Sequence, residues 1–229
     1  MCGRFTLTVD PADLMDAFAL DAGASPDLSL LGPRFNIAPT QAVAVIPNTA
    51  PRHLELMRWG LIPSWAKDPK IGNSLINARG ETVAEKPAFR SAFKRRRCLI
   101  LTDGFYEWKK EAGGGKTPYY IRLANGRPFA FAGLWEVWRP ADGSELPTCT
   151  IITTEANRLT APIHDRMPVI LGFEDWPRWL GEEPADEAAL KALLKPFPSE
   201  RMAIWPVDRK VGNVRNDDAG LLEPLSVAA

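Results

Sequence analysis

The sequence opens Met1-Cys2-Gly3-Arg4, with a thiol directly behind the initiator methionine. A small residue in second position normally lets the methionine be trimmed, so the mature chain is expected to begin at Cys2. That cut puts a thiol and a free α-amine on one two-carbon frame. An α-amine titrates near about 7.7–8.0 against about 10.4 for lysine, so its neutral, nucleophilic fraction at pH 7 is larger by roughly two orders of magnitude. The thiol titrates near about 8.5 and falls beside a cation, and Arg4 is two residues away. Capture of an aldehyde as an imine, then closure by the thiol to a thiazolidine, is the chemistry this terminus offers. The bland alternative is a frayed end, where most chain termini lie.

A catalytic Cys2 needs partners. Glu107 sits in Asp103-Gly104-Phe105-Tyr106-Glu107-Trp108, where aromatic neighbours would desolvate its carboxyl and raise its pKa toward general acid–base use. The competing reading puts it on the solvent face of a strand. His164 lies in Pro162-Ile163-His164-Asp165-Arg166-Met167-Pro168, with Asp165 or a backbone carbonyl available to fix its tautomer. A satisfied structural histidine explains it equally well, and His53, on an ordinary amphipathic strand, reads as a bystander. Asn77, in Ile76-Asn77-Ala78-Arg79, offers an amide that holds an amine or a sugar hydroxyl without titrating. It would serve as well to turn the backbone.

Arg4, Arg79 and Arg166 each fall within two residues of one of these groups, as phosphate positioning around a site requires. The denser run Lys94 to Arg97 reads as a solvated face at a helix-to-strand joint. Trp65, in a proline-bounded turn, is placed either to stack on a base or to fill a core.

The bulk composition restricts the alternatives. With 28 basic and 28 acidic residues among 229, a nucleic-acid site has to be a local patch rather than a global field. Three cysteines without a CxxC pair argue against a disulfide framework, and two histidines support no zinc site. No metal or cofactor is expected. No apolar run approaches the roughly 18–20 residues of a membrane span, and the start resembles neither a signal nor a transit peptide. A reduced, cytoplasmic protein follows, associated with the nucleoid when bound to DNA, with a monomer expected.

The elements that must position these residues are short. Asp10-Pro11 predicts a helix carrying Leu14, Ala17 and Phe18, followed by a loop from Ala22 to Pro33. Strands are expected at 42–46, 53–59, 98–101, 104–110, 119–123, 128–135, 148–154 and 202–207. Glu81 to Phe93 has helical spacing broken at Pro87, and Asp186 to Leu194 reads as an amphipathic helix. Asn125-Gly126 between apolar runs signals a hairpin. The reading is α+β: one domain over 1–229, with a mainly antiparallel, barrel-like β-core flanked by short helices.

Six ordered motifs resemble the SOS response-associated peptidase family. They are Cys2-Gly3-Arg4-Phe5, Arg34 to Thr40, Arg58 to Trp65, Ile76 to Thr82, Asp103 to Trp108 and Ile163 to Pro168. The likeness runs from residue 2 to about 216. It departs at Leu101-Thr102, where the family commonly has proline-alanine, and this chain lacks the long tail of animal relatives, which favours a bacterial-type version. The resemblance implies a groove for single-stranded DNA and covalent capture of abasic sites through a thiazolidine on Cys2. By the same resemblance Asn77, Glu107 and His164 are the partners of Cys2, Arg4, Arg79 and Arg166 are DNA contacts, and Thr153 falls on a family site position; Trp65 is grouped with the DNA contacts on its own reading as a stacking residue. Two other outcomes stay open: a cysteine-type peptidase, including removal of its own Met1, and a non-covalent reader of modified bases.

Overall fold

The computed structural model describes residues 2–21, 23 and 32–225. Met1 and nearly all of the loop expected from Ala22 to Pro33 lie outside the described residues. Strand β1 (Phe5–Leu7) leads into helix α1 (Pro11–Phe18), which starts as its sequence predicts. The Asp10 carboxylate accepts the Ala12 N–H, and Pro11 fills a first-turn position where no N–H is needed. Strands β2 (Arg34–Ile37), β3 (Ala42–Pro47), β4 (Glu55–Trp59) and β5 (Asn77–Arg79) follow. The helical spacing over Glu81 to Phe93 is broken at Pro87, as expected, and its first half forms no helix. Isolated turns occupy residues 80–89, and only α2 (Arg90–Arg95) is regular, because Pro87 supplies no N–H and clashes with a preceding helical turn.

The long strands come next: β6 (Arg97–Thr102), β7 (Gly104–Lys110), β8 (Lys116–Leu123), β9 (Phe129–Trp138) and β10 (Leu146–Glu155). Short β11 (Arg166–Pro168) and β12 (Ile170–Leu171), helices α3 (Trp176–Leu180) and α4 (Glu187–Ala192), and β13 (Met202–Pro206) complete the order.

Strands β10, β4, β3, β6 and β9 pair in turn, and β9 pairs back onto β10, so five strands close into a barrel. Closure removes the exposed edges that open sheets must protect. All of these pairings are antiparallel except β10 with β4. The far half of β10 leaves the barrel and pairs with β5 and β11. A second, antiparallel sheet has the order β13-β8-β7-β1-β2. Phe5 joins the layers: it pairs with Ile37 and Phe105, and its ring packs on Trp59 at 5.0 Å and Phe131 at 5.8 Å. The α+β fold with a mainly antiparallel barrel core is therefore the one found.

Strand β1 is fixed by a buried polar clamp. Asp103 accepts from the Thr6 hydroxyl at 2.5 Å and from the Thr8 N–H at 2.6 Å. The Tyr120 hydroxyl lies 3.2 Å from Thr6 Oγ1, directly over Gly104, where an added Cβ would meet it at 2.1 Å. Only glycine leaves room for that hydroxyl. The clamp fixes the plank from which Cys2 extends.

Two expectations are corrected. Asn125-Gly126 does turn the chain, with Gly126 at φ +70°, but closes no hairpin. β8 pairs with β7 and β13, whereas β9 belongs to the barrel, so the turn carries the chain between sheets. The local turn chemistry was right and the tertiary pairing overrode it. Within Lys94–Arg97, Arg97 points inward instead of forming a solvated face. It donates to the carbonyls of Trp179, Phe93 and Lys94 and lies over the Trp179 ring.

Candidate functional site

The amino terminus meets the seam between the two sheets. Cys2 is fully buried rather than frayed. Its carbonyl accepts from Asn77 Nδ2 at 2.8 Å, and Asn77 itself is held by β5, in register with Ile151 of β10. The other end of that amide, Oδ1, is buried without a hydrogen-bond partner among the described residues.

Glu107 comes from the other layer, on β7, in register with Tyr119 of β8. It is 3% exposed, and burial pushes its carboxyl up to about 7, where it can both take and give a proton at neutral pH. Its charge also acts on Cys2: burial pushes the thiol far above its ordinary range, and the Glu107 carboxylate adds to that push. Cys2, Asn77 and Glu107 therefore occupy one place. The desolvated reading of Glu107 is the correct one.

His164 follows a tight turn in which its own N–H bonds the Thr160 carbonyl. Burial lowers its pKa below the ordinary value, so the ring is neutral at pH 7. Nδ1 accepts the Arg166 backbone N–H at 3.0 Å and lies 2.8 Å from Asp165 Oδ1. These neighbours ask for opposite protonation states of the same nitrogen. Asp165 is 86% exposed, so solvent screens its charge. The expected Asp165 contact is present, beside a backbone N–H that competes for the same nitrogen. Asp165 contributes to the raised pKa of Glu107, and Lys110 of β7 acts on His164, so this turn faces β7. His53 is elsewhere, bonded to Glu55 and the Pro51 carbonyl.

The predicted cationic residues divide. Arg79 is exposed, and its side chain makes no hydrogen bond among the described residues, although its carbonyl accepts the Thr82 N–H at 3.1 Å. Arg166 is already engaged: its guanidinium forms a fork to Glu81, 2.9 Å on each arm, and donates to the Thr153 carbonyl at 2.7 Å. That bidentate pair holds Glu81 below the usual carboxylate range. Thr153 is fully buried and in register with Arg79, and its hydroxyl faces Arg166 at 3.3 Å. Arg4 turns away toward the carboxy-terminal segment. It donates to Asn36 Oδ1 at 2.7 Å and the Val211 carbonyl at 2.8 Å, with its guanidinium 5.8 Å from the Trp108 ring centre. Trp65 is 61% exposed at the mouth of an open trough of about 360 Å³, beside Asn77, Arg79, Lys86 and Phe89.

Two residues of the site carried no local signal. Glu81 was read as the start of a helix, and its pairing with Arg166 spans 85 positions. Asn36 anchors the carboxy-terminal turns through bonds to the carbonyls of Val211, Asn213 and Asn216, and with Arg4 it ties that segment to β1 and β2. Among the described residues no three His, Cys, Asp or Glu side chains group as a metal site, and no helix is long and apolar enough to cross a membrane.

The model of the family "SOS response associated peptidase (SRAP)" matches residues 1–214. The abasic site processing protein YoqW of Bacillus subtilis is 44% identical over 224 residues, covering 97% of this chain and 99% of that protein. The abasic site processing protein YedK of Escherichia coli is 33% identical, covering 98% and 100%. A crystal structure of a protein from Bacteroides thetaiotaomicron matches with a TM-score of 0.88 at 27% identity, over 97% of this chain and 99% of that one. The chain belongs to the SOS response-associated peptidase family.

Proposed function

We propose that this protein processes abasic sites by binding single-stranded DNA and capturing the open-chain aldehyde covalently on Cys2, once Met1 has been removed. The observation that carries the reading is the joint position of three groups. Asn77 bonds the Cys2 backbone at 2.8 Å and keeps a buried acceptor open, while Glu107 titrates at about 7 beside them. In the reaction the neutral α-amine adds to C1′ and forms a carbinolamine. Loss of water gives the imine. Sγ then adds to the imine carbon, its proton passes to nitrogen, and a five-membered thiazolidine closes; aldehyde plus aminothiol gives the ring plus one water.

Each partner has a task its geometry suits. Asn77 Oδ1 accepts an N–H of the α-amine and aims its lone pair. Glu107 removes the amine's proton and returns it to the departing water. The neutral His164 side chain donates to the sugar oxygen that develops as the ring opens. Arg79 and Trp65 meet phosphate and base directly, Arg166 exchanges Glu81 for a phosphate, and Thr153 and Arg4 act by positioning.

A thiol peptidase is disfavoured by the buried, protonated thiol, since it needs a thiolate as first nucleophile. Amine-first capture needs the sulfur only for ring closure. The test is a denaturing gel with abasic single-stranded DNA. Wild type is expected to give a shifted band, and neither Cys2→Ala nor amine-acetylated protein should. A wild-type rate of adduct formation by Cys2→Ala would sink the proposal.

A further inference from the structure

A second cavity shares no residue with this site. It measures about 320 Å³ and lies between the start of β9, strand β12 and helix α3. Its walls are apolar and buried: Phe129, Ile170, Leu171, Trp176 and Phe197. The one polar edge of Trp176, its indole N–H, is satisfied by the Leu171 carbonyl at 3.2 Å, so that wall offers an apolar face to a ligand. Phe18 stacks on the same ring at 4.6 Å and stiffens it.

The mouth has the opposite character. Arg201 lies over the Phe197 ring at 4.8 Å, which orients its guanidinium, and Arg127 stands on the same rim. Both are exposed, and neither has a carboxylate partner among the described residues. Asn125 accepts the Arg127 N–H through Oδ1, which leaves its amide N–H groups for the opening. Phe173 stands beside this mouth at 73% exposed, a large apolar surface for one side chain in water.

An apolar chamber with a guanidinium rim fits an apolar side chain carrying a carboxylate one or two bonds away. We infer that this cavity receives the carboxy-terminal residue of a partner protein, a large aliphatic or aromatic side chain with its free α-carboxylate on Arg201. A peptide terminus fits better than a small free acid because the chamber continues outward. A cleft sharing Phe197 and Arg201 runs on past Lys195, Pro196 and Pro198 and gives the preceding residues a path; Glu174 and Asp175 line it as well, the latter paired with Arg178 at 2.7 Å. Arg201 is the anchoring cation because its guanidinium is held over the Phe197 ring of the chamber wall at 4.8 Å.

The probe is a fluorescently labelled octapeptide ending in Leu-Phe with a free carboxylate, followed by anisotropy on the full chain. Micromolar binding is expected, with at least a roughly tenfold loss for the carboxy-terminal amide, for terminal Phe→Gly and for Arg201→Glu. Arg127→Glu should weaken binding less. Arg201→Glu should keep its far-ultraviolet circular dichroism and its melting temperature, which separates loss of binding from loss of fold. Equal affinity of acid and amide, an unaffected Arg201→Glu, or no binding below about 1 mM would overturn the inference. So would phenylpropionic acid binding as tightly as the peptide.

Discussion

Glu107 combines the roles of structural cost and functional gain. A carboxyl raised to about 7 by burial favours the protonated fold. The stability it supports is fully present below the ordinary carboxyl value of 4.5 and is lost as pH rises through about 7. Glu107→Gln removes the titration. Chemical denaturation should find the variant more stable than wild type at pH 8, by up to about 3 kcal/mol, and nearly equal to it at pH 4. The same variant should lose the rising limb through about pH 7 in the rate of DNA capture. A variant that is more stable but slower identifies a residue kept for chemistry. Asn77→Ala tests aim instead of proton transfer. It removes one hydrogen bond, worth about 1 kcal/mol of stability, yet single-turnover capture should slow by roughly a hundredfold. A loss of stability with no loss of rate would reduce Asn77 to a backbone prop.

At the scale of elements, the site depends on β1 being held still. The Asp103 clamp and the bare Cα of Gly104 do this from beneath. Gly104→Ala puts a methyl into the Tyr120 hydroxyl and should cost about 1–3 kcal/mol. Thermal melting should fall by several degrees, and adding Tyr120→Phe should not restore it, because the ring carbons Cζ and Cε2 still meet the methyl at 2.3 and 2.5 Å. The local signals in the sequence were reliable where local physics decides. Asp10-Pro11 started a helix, apolar runs became buried strands, and Pro87 broke the helix expected around it. Pairing at a distance was not legible. Asn125-Gly126 reads as a hairpin because the turn is right, and nothing nearby says that β8 and β9 part into different sheets. Among the site residues, Cys2, Asn77, Glu107 and His164 could be named from their chemistry and family motifs. Their occupancy could not be: Arg4 and Arg166 look alike as free cations until Asn36 and Glu81 are found bound to them.

For the whole molecule, 28 positive and 28 negative charges leave no net field to draw in DNA. Binding should still depend on salt through the few arginines at the groove. Arg79 is the exposed one, so Arg79→Ala should flatten the plot of log affinity against log salt by about 0.7 on single strands. An unchanged slope would remove Arg79 from the phosphate path. Every part of the account converges on the α-amine and thiol of Cys2 acting on one carbon. The most direct measurement is intact and peptide-level mass spectrometry after incubation with abasic single-stranded DNA. The account predicts a chain lacking Met1, joined to the oligonucleotide with loss of one water, with the added mass on the peptide that begins at Cys2. An adduct mapped to a lysine, or one formed on a chain that keeps Met1, would contradict it.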